Sequence, residues 1–332
     1  MSVARLGVMS ALASGDTGLA YRLVLGLMDD GHPFPVILDE VLASIQWESG
    51  RRWEVGDYSI SQEHASTAAV ETLIALIGGA FDQPTNAKLV VVVCGEGDTH
   101  TLPARMATAL LAYEGFRTIF LGTSLPAHDL REYLATTAPD ALVVSCTRPA
   151  NLPGARACIA AGHDADVPVA VGGRAFGDNA ERATALGADA HAPTLTALPE
   201  ILENWQPEPA AAEQQVTVRA DTTTPHASTR TSVVTQMMQF LADGQTAADT
   251  PNRILTECAE DLFDTMAAAL YLDDDKLLAD HAAWLSQLLD HHAHVSVPAE
   301  RLLQRLCQAV ADTMPDARAL IEASIATLQP DP

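Results

Sequence analysis

The sequence predicts a multidomain α and α/β chain: an N-terminal helical bundle, a doubly wound parallel sheet, and a C-terminal all-α domain. Three observations predict it. Apolar residues recur at helical spacing over residues 1–84. Apolar runs of strand length alternate with helical stretches over 85–205. Helical spacing then returns from 231 to 332. The chain has 332 residues, which at roughly 150 per domain allows two domains or three small ones. Apolar residues make up 48% and charged residues 19%, a globular composition with ample material for buried cores.

In the first region, ALASGDTGLAYRLVLGLMDDG places Ala, Leu and Met at helical spacing, with Ser14 or Asp16 able to cap its second helix and Gly31 able to end it. Pro33 and Pro35 open the next helix, VILDEVLASIQWESG, and RRWEVGDYS reads as a polar loop. ISQEHASTAAVETLIALIGGAF is another amphipathic helix. Four helices with short connections make a small bundle. In the second region KLVVVVC, FRTIFLG, ALVVSC, VPVAVGG and, more weakly, GADAHA read as strands. LPARMATALLAYEG, PAHDLREYLATTA, LPGARACIAAG and GDNAERATALG read as the helices between them. Ligands on such Rossmann-like sheets bind at the carboxyl ends of the strands. Residues 206–230 are polar, Pro-bearing and without periodicity, hence a linker. The last region holds five candidate helices: SVVTQMMQFLADG, PNRILTECAEDLFDTMAAALYL, DDKLLADHAAWLSQLLDHH, VPAERLLQRLCQAVADTM and PDARALIEASIATL.

Lys and Arg number 19 against 43 Asp and Glu, a formal net charge of −24. Such a surface repels phosphate, which excludes a general nucleic-acid or anionic-membrane binder. No stretch reaches the roughly 18 apolar residues of a membrane span. MSVARLGVMSALASGDTG is a poor signal peptide and a good first helix, so a cytoplasmic location is expected. The five cysteines, Cys94, Cys146, Cys158, Cys258 and Cys307, are widely spaced and read as reduced, mostly buried thiols.

The residues with chemistry gather at the strand ends. CGEGDTHTLPARM holds Asp98 and His100 as a D-x-H pair between the first strand and its helix. Ser145-Cys146-Thr147 ends the third strand, and Gly172-Gly173 ends the fourth. Alone, D-x-H is equally a satisfied surface pair of an ordinary Rossmann-like domain. Together these pieces resemble the cobalamin-binding fold of methionine synthase and methylmalonyl-CoA mutase, with its D-x-H-x-x-G, S-x-L or S-x-T, and GG. The resemblance implies that His100 is the lower axial ligand of cobalt and that Asp98 orients its ring. It implies that Ser145, Thr147, Gly172 and Gly173 face the displaced nucleotide tail. The chemistry agrees: cobalt needs a neutral imidazole, and a carboxylate on the other ring nitrogen sets its tautomer and raises its basicity. Pro103 stands where the family has its last Gly, so the loop is shaped differently there; a proline in a first helical turn is tolerable.

Trp53, nine further residues and then Glu63-His64 give W-x9-E-H. Trp53 is otherwise a loop anchor and Glu63-His64 a polar helix face. Placed before a cobalamin domain, the motif resembles the cap of the CarH-type adenosylcobalamin photoreceptors. It implies that Trp53 and Glu63 pack around the 5′-deoxyadenosyl group and that His64 binds cobalt from above once light removes that group. An indole excludes water from the nucleoside, and a carboxylate accepts from ribose hydroxyls. Those repressors place a helix-turn-helix ahead of the bundle. Here the bundle starts at residue 2 and the charge disfavours DNA, so no direct DNA contact is expected.

The C-terminal helices look like a non-haem sensor globin, and the whole order resembles the photocobilins, which hold adenosylcobalamin and a bilin such as biliverdin. A linear tetrapyrrole needs cations for its propionates, polar groups for its nitrogens and aromatic walls. His281, Trp284, His291, His292 and Arg301 are the candidates, with Arg305, Tyr271, Phe240 and His294 near them. The histidine cluster reads equally as a solvated helix end or as adventitious metal binding. Neither Cys258 nor Cys307 sits in a recognisable bilin-attachment motif, so noncovalent binding is expected.

The function expected is light sensing, not catalysis, through adenosylcobalamin and biliverdin. A homo-oligomer, a dimer first, would signal to a separate partner protein and contact neither DNA nor membrane. The alternatives are a corrinoid methyl carrier of a methyltransferase system and a cobalamin-dependent transcriptional co-regulator without bilin. A mutase is disfavoured because the chain has no substrate barrel.

Overall fold

The computed structural model of the chain describes residues 2–205, 227–242, 253–291 and 297–328. They form two units. One contains the N-terminal helices and the sheet. The other contains the C-terminal helices together with Glu54–Gly56 and Pro149–Pro153.

The first unit begins with α1 (Ser2–Ala13) and α2 (Thr17–Asp29). Asp16 caps α2, accepting from Leu19 N at 2.8 Å, which satisfies one of the donors that a helix start leaves open. Pro33 and Pro35 open α3 (Phe34–Ile37), as expected. The helix continues through a π-helical segment (Leu38–Ala43) into α4 (Ser44–Glu54), and α5 (Ile60–Gly78) follows. The sequence reading of RRWEVGDYS as a loop is corrected here, because Arg51, Arg52 and Trp53 lie in the last turns of α4. Glu48 accounts for the extension. It pairs with Arg51 at 3.0 Å and with Arg52 at 2.8 Å, the i,i+3 and i,i+4 spacings that hold a helix. Those two hydrogen bonds lower its carboxyl to about 2. A capping box at Ser59 and Gln62 starts α5.

The five strands lie where the apolar runs placed them: β1 (Leu89–Cys94), β2 (Arg117–Phe120), β3 (Ala141–Ser145), β4 (Val169–Gly172) and β5 (Ala190–Ala192). All pairs are parallel, in the order β2-β1-β3-β4-β5. The intervening helices are α6 (Thr101–Tyr113), α7 (Ala127–Thr137), α8 (Leu152–Asp164), α9 (Glu181–Ala185) and α10 (Leu198–Asn204). Alternate strand residues serve opposite faces. Val90, Val92, Val143 and Ala170 pack with Ala104, Ala107, Leu111, Leu198 and Leu202. Leu142 and Val169 lie under Gly162 of α8. Both faces are thus buried, which explains why the strands read as continuous apolar runs. The bundle core of α1 to α5 also takes in Leu102, Met106, Ala109 and Leu110 of α6, so bundle and sheet share one helix.

The second unit holds α11 (Ala227–Ala242), α12 (Arg253–Leu272), α13 (Asp275–His291), α14 (Ala299–Val310) and α15 (Pro315–Thr327). Helix α11 starts within the stretch expected to be linker. Arg230 is the reason: it pairs with Asp264 through two bonds of 2.7 and 2.8 Å and with Glu260 at 3.2 Å. Residues 206–226 of that expected linker lie outside the described residues. No described helix is long and apolar enough to cross a membrane.

A close approach fixes the start of α8. A Cβ on Gly154 would lie 1.9 Å from the Glu96 carbonyl oxygen, so the β1 loop and α8 meet there only through hydrogen. Gly154→Ala is expected to destabilise the fold by about 2 kcal/mol or more. Gly26→Ala, whose added methyl meets nothing within 4 Å, is expected to be neutral or to stabilise by up to about 1 kcal/mol. Calorimetric melting of the two variants checks both.

Candidate functional site

The carboxyl ends of β1, β3 and β4 lie side by side, with Cys94, Ser145 and Gly172 in register. Three loops therefore leave the sheet at one level, as a doubly wound fold requires of its binding edge. The β1 loop turns tightly, with Asp98 N–H donating to Gly95 O at 2.9 Å, and this drives the Asp98 side chain inward to 1% exposure.

Asp98 accepts three hydrogen bonds. His100 Nδ1–H donates to Oδ1 at 2.8 Å, His100 N–H donates to the same oxygen at 3.0 Å, and Thr147 N–H donates to Oδ2 at 2.6 Å. Burial by itself would raise this carboxyl. The bonds from the His100 ring, Thr147 N–H and His100 N–H outweigh burial, and the group lies below its ordinary value. A carboxylate can only accept, so His100 carries its proton on Nδ1 and leaves the Nε2 lone pair free. The His100 side chain is 45% exposed. It is also the N-cap residue of α6. Pro103 is therefore the third residue of that helix, where its missing N–H is one the helix start would leave unpaired anyway.

Behind this pair lies a cradle. Gly173 has φ 105°, and a Cβ there would come 2.4 Å from Cys146 O; one on Gly172 would come 3.2 Å from Ala192 O. Ser145 is buried beside them, and Thr147 Oγ1 is buried with no hydrogen-bond partner among the described residues. Burial pushes the neighbouring Cys94 thiol up to about 12, that of Cys158 to about 11, and that of Cys146 well above its ordinary value, so none is a ready thiolate. All five cysteines are unpaired.

The cap contributes a second cluster. Glu63 and His64 sit in the first turns of α5, and Trp53 is half-buried in the last turn of α4. His64 Nδ1–H donates to Glu63 Oε2 at 2.9 Å, and its side chain is 72% exposed. Glu63 Oε1 accepts from Thr67 Oγ1 at 2.6 Å and from Gln46 Nε2 at 3.2 Å, and Gln46 Nε2 also donates to Thr67 Oγ1 at 2.7 Å. Two turns along α5, Glu71 accepts from the hydroxyl of Thr101, the residue after His100. Sequence reasoning missed Gln46, Thr67, Glu71 and Gly154. The spacing of Glu63, Thr67 and Glu71 at i, i+4 and i+8 was the signal available for one face of α5.

In the second unit His281 is buried on α13, its ring 5.3 Å from that of Trp284, with Nε2 3.5 Å from Asp261 Oδ2. His291 is exposed, its Nδ1 2.7 Å from Gln287 O of its own helix. Arg301 is half-buried on α14. Arg305 lies over the Phe240 ring at 5.9 Å, and its Nε is buried without a partner among the described residues. Tyr271 is half-buried in the last turn of α12. His292 and His294 lie outside the described residues.

Among the described residues no group of three or more His, Cys, Asp or Glu is arranged to hold a metal ion. A metal that brings its own macrocycle needs only one imidazole, and His100 offers one. The residues fit a cobalamin: one free ring nitrogen held by a buried carboxylate, an orphan hydroxyl, and a cradle that a Cβ would fill. The comparisons agree. Residues 88–201 match the B12 binding domain, and residues 7–77 match a second B12 binding domain model. Over 104 residues the chain is 32% identical to the HTH-type transcriptional repressor CarH of Myxococcus xanthus, a match covering 31% of this chain and 34% of that protein. The chain thus spans about a third of the length of this curated relative. The fold is like that of the Methanosarcina barkeri monomethylamine corrinoid protein, with a TM-score of 0.51 and 20% identity over 60% of this chain and 96% of that one. With its histidine–carboxylate pair at the edge of the sheet, the chain carries two B12 binding domains, over residues 7–77 and 88–201, and is a cobalamin-binding protein.

Proposed function

We propose that this chain is a non-enzymatic, cytoplasmic light sensor that holds adenosylcobalamin between its cap and its sheet and a bilin in its C-terminal unit. One observation carries the adenosylcobalamin assignment: the W-x9-E-H residues lie in a B12 binding domain packed on α6, the helix that His100 opens. When bound, adenosylcobalamin supplies a cobalt–carbon bond that green light breaks. His100 would hold cobalt through Nε2, and Asp98 on Nδ1 fixes the tautomer and the turn of the ring. Ser145 and Thr147 would bond the nucleotide tail, with Gly172 and Gly173 leaving it room. Trp53 would cover the adenosyl group, and Glu63 would accept from its ribose. His64, tethered only through Nδ1, keeps Nε2 available for the upper face once that group has left. Trp53 and Glu63 would lose their contacts if that group left, and a shift of the cap would then change conformation or association for a partner protein to read.

The bilin assignment is supported by polar groups in the helical interior of the second unit. The Arg305 Nε–H and the Thr265 hydroxyl are buried without partners among the described residues. A guanidinium meets a propionate, and a hydroxyl meets a pyrrole or lactam edge. The His281–Trp284 ring pair supplies an aromatic surface. The low sequence pI of about 4.6 disfavours direct DNA contact.

His100→Ala is expected to weaken adenosylcobalamin binding by tenfold or more, with an absorption spectrum that no longer reports protein imidazole on cobalt. Asp98→Asn should give a loss of roughly ten- to a hundredfold, because the ring keeps its place but not its charge partner. Equilibrium titration of cobalamin-free protein measures both, and an unchanged spectrum in His100→Ala removes that residue from the axial role. Protein supplied with adenosylcobalamin and biliverdin should show cobalamin bands that change irreversibly under green light and a retained red bilin band. Light-insensitive cobalamin, or preference for methylcobalamin, favours a methyl carrier instead. Absence of the red band leaves a single-chromophore regulator. Identical solution scattering in dark and light would count against the cap motion.

A further inference from the structure

We infer that Gln46, with Ser49 one turn further along α4, selects the upper-face group of the cobalamin by demanding a hydrogen-bond donor there; the inference rests on the adenosylcobalamin reading above. Neither residue belongs to W-x9-E-H.

The orientation of the Gln46 amide is settled by its neighbours. Its Nε2 donates to Glu63 Oε1 and to Thr67 Oγ1, while Thr67 Oγ1 donates to Glu63 Oε1. The flipped amide would set an oxygen against the Glu63 carboxylate, two acceptors with no proton between them. Oε1 therefore faces away from Glu63, and there it is buried with no partner among the described residues. Ser49 repeats the situation three residues on. It is 3% exposed, and its Oγ is buried with no partner among the described residues.

Buried polar atoms are rarely left unmatched, because an unmet acceptor in a dry site costs free energy that folding must recover elsewhere. Here two occur within one turn. At i, i+3 and i+7, Gln46, Ser49 and Trp53 share a flank of α4, and Gln46 bonds directly to α5 at Glu63. The pattern is that of a site built for a ligand. The unmet Gln46 atom is an acceptor, Glu63 is an acceptor, and the Ser49 hydroxyl can serve as either. The complementary ligand is rich in donors and small enough to lie against an indole. A nucleoside offers ribose hydroxyls and an exocyclic amine, whereas a methyl group offers none. Gln46 thus discriminates between upper-face groups, while Asp98, His100 and Thr147 grip what all cobalamins share.

The test is titration of the cobalamin-free full chain, in darkness, with adenosylcobalamin and with methylcobalamin, for wild type, Gln46→Met and Ser49→Ala. Gln46→Met keeps the length and removes the amide. The expected result is a wild-type preference for adenosylcobalamin. Each variant should lose about tenfold in affinity for it while changing less than about twofold for methylcobalamin. Melting of the cobalamin-free proteins supplies a second readout. Ser49→Ala gives up no bond to the described residues, so its melting midpoint should hold or rise even as its affinity for adenosylcobalamin falls. If wild type prefers adenosylcobalamin and both variants keep that preference, the selector role is overturned and the photoreceptor reading stands. Equal losses for both cobalamins, or a lowered melting midpoint in Ser49→Ala, would reveal a packing role and overturn it too. A wild type without the preference overturns the photoreceptor reading and this inference with it.

Discussion

A single buried carboxylate organises the edge of the sheet. Asp98 is nearly inaccessible to solvent, and an ionised group in such a place persists only if its lone pairs are met. Three donors meet them, and each comes from an element that the site needs. The His100 ring is thereby given its tautomer, the His100 backbone opens α6, and the backbone of Thr147 draws the loop after β3 against the loop after β1. If the three are taken away, the imidazole has no fixed tautomer, the N-terminus of α6 no fixed start, and the Thr147 hydroxyl no fixed position. The Asp98 carboxyl lies below its ordinary value although burial alone would raise it, so the hydrogen bonds outweigh desolvation.

The sheet and its binding edge were legible in the sequence because both faces of the sheet are covered. Strands buried on two sides must be apolar throughout, and LVVVVC and ALVVS cannot be mistaken for solvated segments. Asp98, His100 and the glycine pair were singled out only through their joint resemblance to the cobalamin-binding pattern, since D-x-H alone reads equally as a surface pair; the structure brings them to one edge of the sheet. The end of α4 was not legible. Arg51 and Arg52 resemble a loop until Glu48 is seen one turn earlier to neutralise them. Helix α11 was shortened for a similar reason, since Arg230 finds its partners some thirty residues away, on α12. Gln46, Thr67 and Glu71 escaped notice because polar residues at helical spacing ordinarily mark a wet face. Here the bonds from Gln46 on α4 to Glu63 and Thr67 on α5, and from Thr101 to Glu71, leave that face half-buried.

The two ends of the site differ in kind. Around Asp98, one charge met by hydrogen bonds fixes one ring. Around Glu63, the side chains bond mainly to one another, and Gln46 Oε1 and Ser49 Oγ have no partner among the described residues. A site completed by its own residues is rigid before its ligand arrives. One with unmet atoms is completed only by the right ligand, and its stability then depends on what it holds.

Helix α5 joins these two regimes. It carries Glu63 near its start and Glu71 two turns later, about 12 Å along the axis, where the Thr101 hydroxyl is bonded beside His100. One helix thus bonds to both clusters, and its core residues pack in the same cluster as those of α6. By the reciprocity of linked equilibria, any coupling between the Glu63 end and the His100 end acts equally in both directions: what binding at one does to the other, binding at the other does in return.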